Sequence, residues 1–161
     1  MEIIILPKGK DKKHQKILRD ATEHFVRKLI GKRGEHKIKT INIRLIDKLN
    51  YGTYKGDCRE TVRKDGTFDI FLRLCSTDPL PAMISTLAHE MVHAKQAVKG
   101  ELVIEGDIWN WKGKKMIYKE AWYNDFTSDQ QHDRLPWEKE AYDQEMSLAR
   151  GYFVKYFNSN Y

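Results

Sequence analysis

The stretch STLAHEMVHAKQ, residues 85–96, holds two histidines four positions apart, with a glutamate directly after the first. It contains neither proline nor glycine, and apolar residues recur through it at helical spacing, which predicts a mostly buried helix that ends near residue 98, before Gly100. On such a helix His89 and His93 project from one face about one turn apart. Their imidazole nitrogens can then bind a single ion.

Glu90 completes an HExxH pattern with these two histidines. It lies beside the expected ion rather than on it, where a carboxylate can take a proton from a water while the metal polarises a carbonyl. Two imidazoles and a carboxylate on a mostly apolar helix are costly to bury without such a partner. Histidines that merely pack are the alternative interpretation, and the intact pattern favours a metal site.

A third ligand is expected elsewhere, because a catalytic zinc usually takes three protein ligands and leaves the fourth position to water. The last predicted helix offers Glu138 and Glu140. Glu138 shares its face with the apolar residues of that helix, whereas Glu140 shares its face with polar ones. Glu138 is therefore the predicted ligand, with Glu140 and His132 as alternatives. A carboxylate stabilised by the helix dipole is the competing interpretation of Glu138.

The rest of the sequence predicts an α+β fold with a small, mostly antiparallel sheet. Alternation of apolar and polar residues indicates half-buried strands, and longer apolar periodicity indicates helices. The predicted elements are a strand at 3–6, a helix at about 13–30, a strand at 39–46, a short strand within 51–60, a tight turn at 64–66, a strand at 67–75, the HExxH helix, a hairpin or extended lid within 101–123, a loop at 124–136, and a helix from about 136 to 157 that is distorted near Gly151.

Length and composition favour one folded domain. A chain of 161 residues is long enough for one hydrophobic core and too short for two ordinary domains, so a single domain over residues 1–161 is predicted. With 40% hydrophobic residues, the composition is that of a folded chain rather than a disordered one. The net charge of +6 suits contact with nucleic acid, but no motif of a nucleic-acid module accompanies the lysines. A solvated basic surface is the alternative.

The cysteines and the N-terminal residues indicate where the protein acts. Cys58 and Cys75 form no CxxC pair, so reduced thiols are expected. The start of the sequence, MEIIILPKGK, has an apolar run too short for a signal peptide or a membrane span. A cytoplasmic monomer that does not enter a membrane is predicted.

The combination of HEMVHAKQ (89–96) and LPWEKEAYDQE (135–145) resembles zinc metallopeptidases of the gluzincin type in their minimal single-domain versions. It also resembles small SprT-like metallopeptidases encoded by bacteriophages. The resemblance implies a minimal zincin-like fold with zinc as the cofactor, His89, His93 and Glu138 as its ligands, and Glu90 as general base. It further implies a protein or peptide substrate and, for a phage protein, the host cytoplasm. The cysteine zinc ribbon and third histidine of typical SprT-like proteins are absent.

The predicted activity is hydrolysis of peptide bonds by a zinc-activated water, with Glu90 as general base. The oxyanion beside the metal usually needs a second donor. Tyr142, one turn beyond Glu138 on the same face, is the leading candidate for that donor, ahead of Tyr123 and His132.

Two further sets of residues are expected to support this chemistry. The strand at 67–75 is predicted to form the edge of the cleft, where substrate backbone pairs with it by strand addition. Gln96, Asp125 and Glu145 are candidates to orient the two imidazoles through their free nitrogens.

Two other classes of function stay open at this point. One is a basic DNA-associated zinc protein, either with a structural zinc or as a protease acting on DNA-bound proteins. A structural zinc needs a closed shell of four ligands, and His132 is the candidate for the fourth. The other class is a degenerate metallopeptidase fold that only binds, which the intact Glu90 argues against.

Overall fold

The computed structural model describes residues 1–7, 11–47, 55–117, 133 and 135–160. These residues form a strand, two helices, three strands, the HExxH helix, three further strands and a final helix, which confirms the predicted α+β fold. The elements are β1 (Glu2–Leu6), α1 (Lys12–Leu29), α2 (Gly31–Glu35), β2 (Ile38–Ile46), β3 (Gly56–Val62), β4 (Phe68–Cys75), α3 (Leu80–Val98), β5 (Leu102–Glu105), β6 (Ile108–Trp111), β7 (Lys114–Ile117) and α4 (Pro136–Asn160).

Four strands form one mixed sheet in the order β1-β2-β4-β3. β1 pairs with β2 and β2 with β4 in parallel, whereas β3 pairs with β4 in antiparallel orientation. The prediction of a mostly antiparallel sheet was therefore wrong for this sheet. Alternation within a strand shows which face is buried but not the direction of its neighbours. The helical connection α1 between β1 and β2 is the kind of crossover that joins parallel strands.

Helices α1 and α3 contact each other and lie on the sheet, α1 against β1 and α3 against β3 and β4. Their apolar stripes join alternate residues of the strands in one buried cluster. The Asp11 side chain caps the start of α1 by accepting a hydrogen bond from the backbone N–H of His14 (3.1 Å). That the whole chain, residues 1–161, is one domain stays a prediction.

Helix α4 packs along α3 and carries the predicted third ligand in its first turn. It runs as a continuous α-helix through Gly151, so the distortion predicted there is not observed. No helix among the described residues is both long enough and apolar enough to cross a membrane.

The segment predicted as a hairpin or lid is a three-stranded antiparallel meander, β5-β6-β7. Its second turn uses Lys112 and Gly113, whose φ angles of 48° and 84° are those of a tight two-residue hairpin turn. Residues 118–123 of that prediction, and most of the loop predicted at 124–136, lie outside the described residues.

Candidate metal centre

Three side chains from α3 and α4 converge on one point. The Nε2 atoms of His89 and His93 lie 3.3 Å apart, and Glu138 Oε2 lies 3.2 Å from each of them. Zinc bonds of about 2.0–2.2 Å arranged as a tetrahedron separate two such donors by roughly 3.3 Å or slightly more. The three atoms therefore have the spacing of one face of a zinc coordination tetrahedron, and among the described residues no fourth metal-binding side chain joins them.

The other nitrogen of each imidazole has its own acceptor. His89 Nδ1 lies 2.8 Å from Glu145 Oε2, and His93 Nδ1 lies 2.9 Å from Gln96 Oε1. Carboxylate and amide oxygens accept hydrogen bonds, so in the neutral imidazoles both Nδ1 atoms carry the proton and both Nε2 atoms keep a lone pair. Two lone pairs and a carboxylate oxygen that face one another suit a shared cation. Two of the three residues predicted to orient the imidazoles, Gln96 and Glu145, thus lie where such partners are needed.

The electrostatics of the metal-free protein also favour positive charge at this point. Burial lowers the pKa of His89, but hydrogen bonds to Glu138 and Glu145 outweigh it and raise that pKa to about 9. Burial likewise lowers the pKa of His93, and the carboxylate of Glu138 raises it above its usual value. The carboxylates of Glu138 and Glu145 therefore stabilise positive charge on the two imidazoles.

Glu138 and Glu140 have different surroundings. Glu138 is buried with the two imidazoles, and among the described residues only His89, His93 and Glu138 form a group of three metal-binding side chains close enough to share an ion. Glu140 instead accepts hydrogen bonds from Gln96, Lys95 and Lys112. His132, the other candidate ligand, lies outside the described residues.

Glu90 lies on the floor of the cleft beside strand β3. Burial raises its pKa to about 7, and the charges of His93 and His89 offset only part of that rise. A carboxylate whose pKa lies near neutral pH is suited to accept and release a proton. Position 56 is glycine where the strand meets this carboxylate, because a Cβ atom there would lie 3.1 Å from Glu90 Oε1 and 2.6 Å from Thr86 Cγ2.

Tyr142 stands at the rim of the same site. Its ring packs edge-on against the ring of His89, with centroids 4.6 Å apart, and 44% of the residue is exposed. Burial, followed by the charge and hydrogen bond of Asp133, raises the pKa of the hydroxyl above its usual value. The phenol therefore keeps its proton, which it donates to the Asp133 carboxylate in this structure. Tyr123 lies outside the described residues.

A cleft of about 550 Å³ opens over the three converging donors and Glu90. Strand β3 forms one wall, and the meander forms the other with Leu102, Ile104 and Trp109. The prediction that the strand at 67–75 forms the edge of the cleft was wrong, since β4 lies inside the sheet and β3 is the edge strand. β4 alternates between apolar and polar residues, whereas β3 is mostly polar and exposed, as edge strands commonly are.

Sequence reasoning missed the apolar wall of the meander and the close approach at Gly56. The turn residues of the meander predict a hairpin but not where it docks. A glycine within a strand is a known sign of close backbone approach, and this signal was present. Cys58 and Cys75 are free thiols, as expected.

Comparisons with known proteins assign the chain to no family. No protein-family model matches the chain, and no curated protein matches it. Among solved structures, the chain is similar to one described as the crystal structure of a Wss1 mutant from Saccharomyces cerevisiae. The identity is 18% and the TM-score 0.38, over 100% of this chain and 95% of that chain. The function must therefore be inferred from the residues of the site.

Proposed function

We propose that the protein is a zinc-dependent endopeptidase with His89, His93 and Glu138 as metal ligands and Glu90 as general base. The observation that carries this proposal is the 3.2–3.3 Å spacing of three metal-binding atoms in an open cleft. Three ligands with a free fourth position are typical of catalytic zinc, whereas structural zinc is closed by four. The described residues supply three ligands and no fourth, which favours catalysis over the structural alternative.

The roles of the residues follow from their positions. A zinc ion supplies Lewis acidity at this site and lowers the pKa of a bound water toward about 7. Glu90 accepts a proton from the attacking water and passes it to the leaving amine. The Tyr142 hydroxyl exchanges its hydrogen bond to Asp133 for one to the oxyanion that develops on the substrate carbonyl.

The edge of β3 supports an extended peptide as the substrate. Cys75 donates a hydrogen bond from its N–H to Lys55 O, and Arg63 donates one to Thr67 O, so the odd-numbered residues of β3 bond to β4. The peptide groups of Gly56 and its even-numbered neighbours consequently face the free edge in the cleft. An extended chain can pair there by strand addition, which requires little side-chain selectivity. Unfolded proteins are therefore the proposed substrates.

The test combines metal content with cleavage of an unfolded protein. Mass spectrometry under native conditions should find one zinc per chain in the wild type and in Asp143→Asn, an exposed control on α4, and none in His89→Ala or Glu138→Gln. Glu90→Gln should keep its zinc and lose cleavage by about 100-fold or more, because general-base catalysis contributes roughly 10²–10⁴-fold.

Two outcomes would contradict the proposal. A wild-type protein that binds no zinc removes the metal site and the peptidase together. Zinc-loaded protein whose cleavage is the same in Glu90→Gln removes the proposed activity and leaves only the metal site. A cytoplasmic location, a monomeric state and contact with nucleic acid stay predictions, and for the last of these salt-sensitive DNA binding is the measurement.

A further inference from the structure

Gln96 is fully buried between the candidate metal site and helix α4, and the two ends of its amide have different neighbours. Its Oε1 lies 2.9 Å from His93 Nδ1. Its Nε2 donates to the backbone carbonyl of Trp137 (3.0 Å) and to Glu140 Oε2 (2.8 Å). All the hydrogen-bonding atoms of this side chain are therefore used in one arrangement.

Only one orientation of the amide satisfies these partners. The Trp137 carbonyl and the Glu140 carboxylate can only accept hydrogen bonds, so the NH₂ end of Gln96 must face them. A rotation of the amide by 180° would place Oε1 against two acceptors in a buried site, which is costly. The oxygen of Gln96 therefore faces His93, whose Nδ1 must donate, and the lone pair of the neutral imidazole is then on Nε2.

Glu140 is itself held in place by two lysines. Its Oε1 lies 3.1 Å from Lys95 Nζ and 3.0 Å from Lys112 Nζ. Lys95 is buried and also pairs with Glu101 at 2.7 Å, whereas Lys112 belongs to the turn of the meander. The Glu140 carboxylate thus joins α3, α4 and the meander, and it presents its second oxygen to Gln96.

We propose that Gln96 and Glu140 form a positioning pair for the metal site. Glu140 accepts from the NH₂ end of the Gln96 amide and so directs its oxygen toward His93. Gln96 in turn holds the His93 ring so that Nε2 points toward Glu138 and the ion. The inference rests on the proposed function, because it takes His93 to be a metal ligand. Neither member of the pair lines the cleft over the site, so both act through His93 rather than on the substrate.

The test is an exchange of the two side chains. Gln96→Glu places a second carboxylate against Glu140 and the Trp137 carbonyl, and should weaken zinc binding by roughly 10- to 100-fold, the usual effect of losing such a support. In Gln96→Glu combined with Glu140→Gln, the new amide at 140 can donate to the new carboxylate at 96, which still accepts from His93. The double variant should recover at least tenfold of the lost affinity.

Zinc affinity is measured by competition with a chelator, on protein shown to be folded by circular dichroism. Gln96→Met, which keeps the volume but offers His93 no acceptor, should also lose at least tenfold. Glu101→Gln is the matched control, since it removes the other carboxylate of Lys95 and leaves every hydrogen bond of the Gln96 side chain in place, and its zinc affinity should stay within about twofold of wild type. A purely structural role would lower the free energy of unfolding of the metal-free protein and leave the zinc affinity unchanged.

The outcomes separate this inference from the proposed function. Wild-type zinc affinity in both Gln96→Glu and Gln96→Met would overturn the positioning pair and leave the peptidase proposal standing. A double variant no better than Gln96→Glu would overturn the role of Glu140. A wild-type protein that binds no zinc would overturn both proposals.

Discussion

Helix α3 is buried on two faces, but the two faces lie in different surroundings. The face toward the sheet and α1 is apolar and belongs to the hydrophobic core, whereas the face toward α4 and the cleft is polar and nearly as buried. The core face includes Ile84, Leu87, Ala88, Met91 and Val92, and the polar face includes His89, Glu90, His93 and Gln96.

Burial contributes to stability in different ways on the apolar face and on the polar face. The core face is stabilised by apolar area removed from water, about 25 cal/mol per Å², so its contribution depends on volume and not on direction. The polar face gains little from burial, because each polar group loses its hydration and must recover it through a partner in the right geometry. Substitutions on the first face should therefore change stability, and substitutions on the second should change metal binding or catalysis.

Leu87→Ala should have the largest effect and should act on stability alone. Leu87 is fully buried in the core, and truncation of such a leucine costs about 2–5 kcal/mol through lost burial and the cavity left behind. The measurement is urea unfolding of the metal-free protein, since bound zinc would add its own stabilisation. The conservative variant Leu87→Met should lose less than about 1.5 kcal/mol. A fall in the zinc affinity of folded Leu87→Ala would show that the two faces are not independent.

Tyr142→Phe tests whether a substitution beside the polar face of α3 changes catalysis. The phenylalanine ring can keep its contact with His89, so only the hydroxyl is removed. We expect kcat to fall by about 100-fold, the lower range for loss of one oxyanion donor, with zinc affinity unchanged. Loss of the hydrogen bond to Asp133 should lower the free energy of unfolding by only about 1 kcal/mol. Tyr152→Phe is the control, because its hydroxyl donates to Ile17 O away from the cleft, and it should lower stability but not kcat. An unchanged kcat in Tyr142→Phe would leave Tyr142 as a packing residue.

The sequence predicts the local part of this site well. His89 and His93 are four residues apart on one helix, so their shared face follows from helix geometry, and the apolar periodicity of α4 ranks Glu138 above Glu140. The structure brings these predicted residues together, although their role as ligands stays a proposal.

The parts that sequence reasoning missed depend on long-range packing. Parallel pairing of β2 with β4 and the edge position of β3 follow from how distant segments assemble, which alternation within a strand does not encode. The contact of Gln96 with Glu140 spans 44 residues of chain. The polar helical neighbours of Glu140 ranked it below Glu138 as a ligand but gave no sign of its partners, because the lysines that bind it come from other elements.

Gly56→Ala probes the place where the edge strand meets the polar face. The new Cβ would lie 2.6 Å from Thr86 Cγ2 and 3.1 Å from both Arg73 O and Glu90 Oε1, so strand and carboxylate must move apart by several tenths of an ångström. A displacement of about 1 Å costs up to 10²-fold, so we expect roughly a tenfold loss of cleavage with zinc affinity retained. Thr86→Ser removes the methyl group at the shortest contact and should restore part of the activity. Full activity in Gly56→Ala would show that the approach of β3 to Glu90 has no catalytic importance.

Ile104→Ala should have the smallest effect, because it changes an exposed wall of the cleft and none of the buried groups. Ile104 is 51% exposed and lines the cleft from the meander. Removal of its side chain should raise KM by about threefold to tenfold for substrates with a bulky apolar residue beside the scissile bond, since about 0.8 kcal/mol is lost for each buried CH₂ that loses contact. Because binding to this wall is the same in the ground state and the transition state, kcat should not change.

Val103→Ala is the matched control, since Val103 is the preceding residue of the same strand, similarly exposed, and points to the opposite side. An equal rise in KM for both variants would mean that the meander acts through its stability, whereas a rise confined to Ile104→Ala would assign an apolar subsite to this wall.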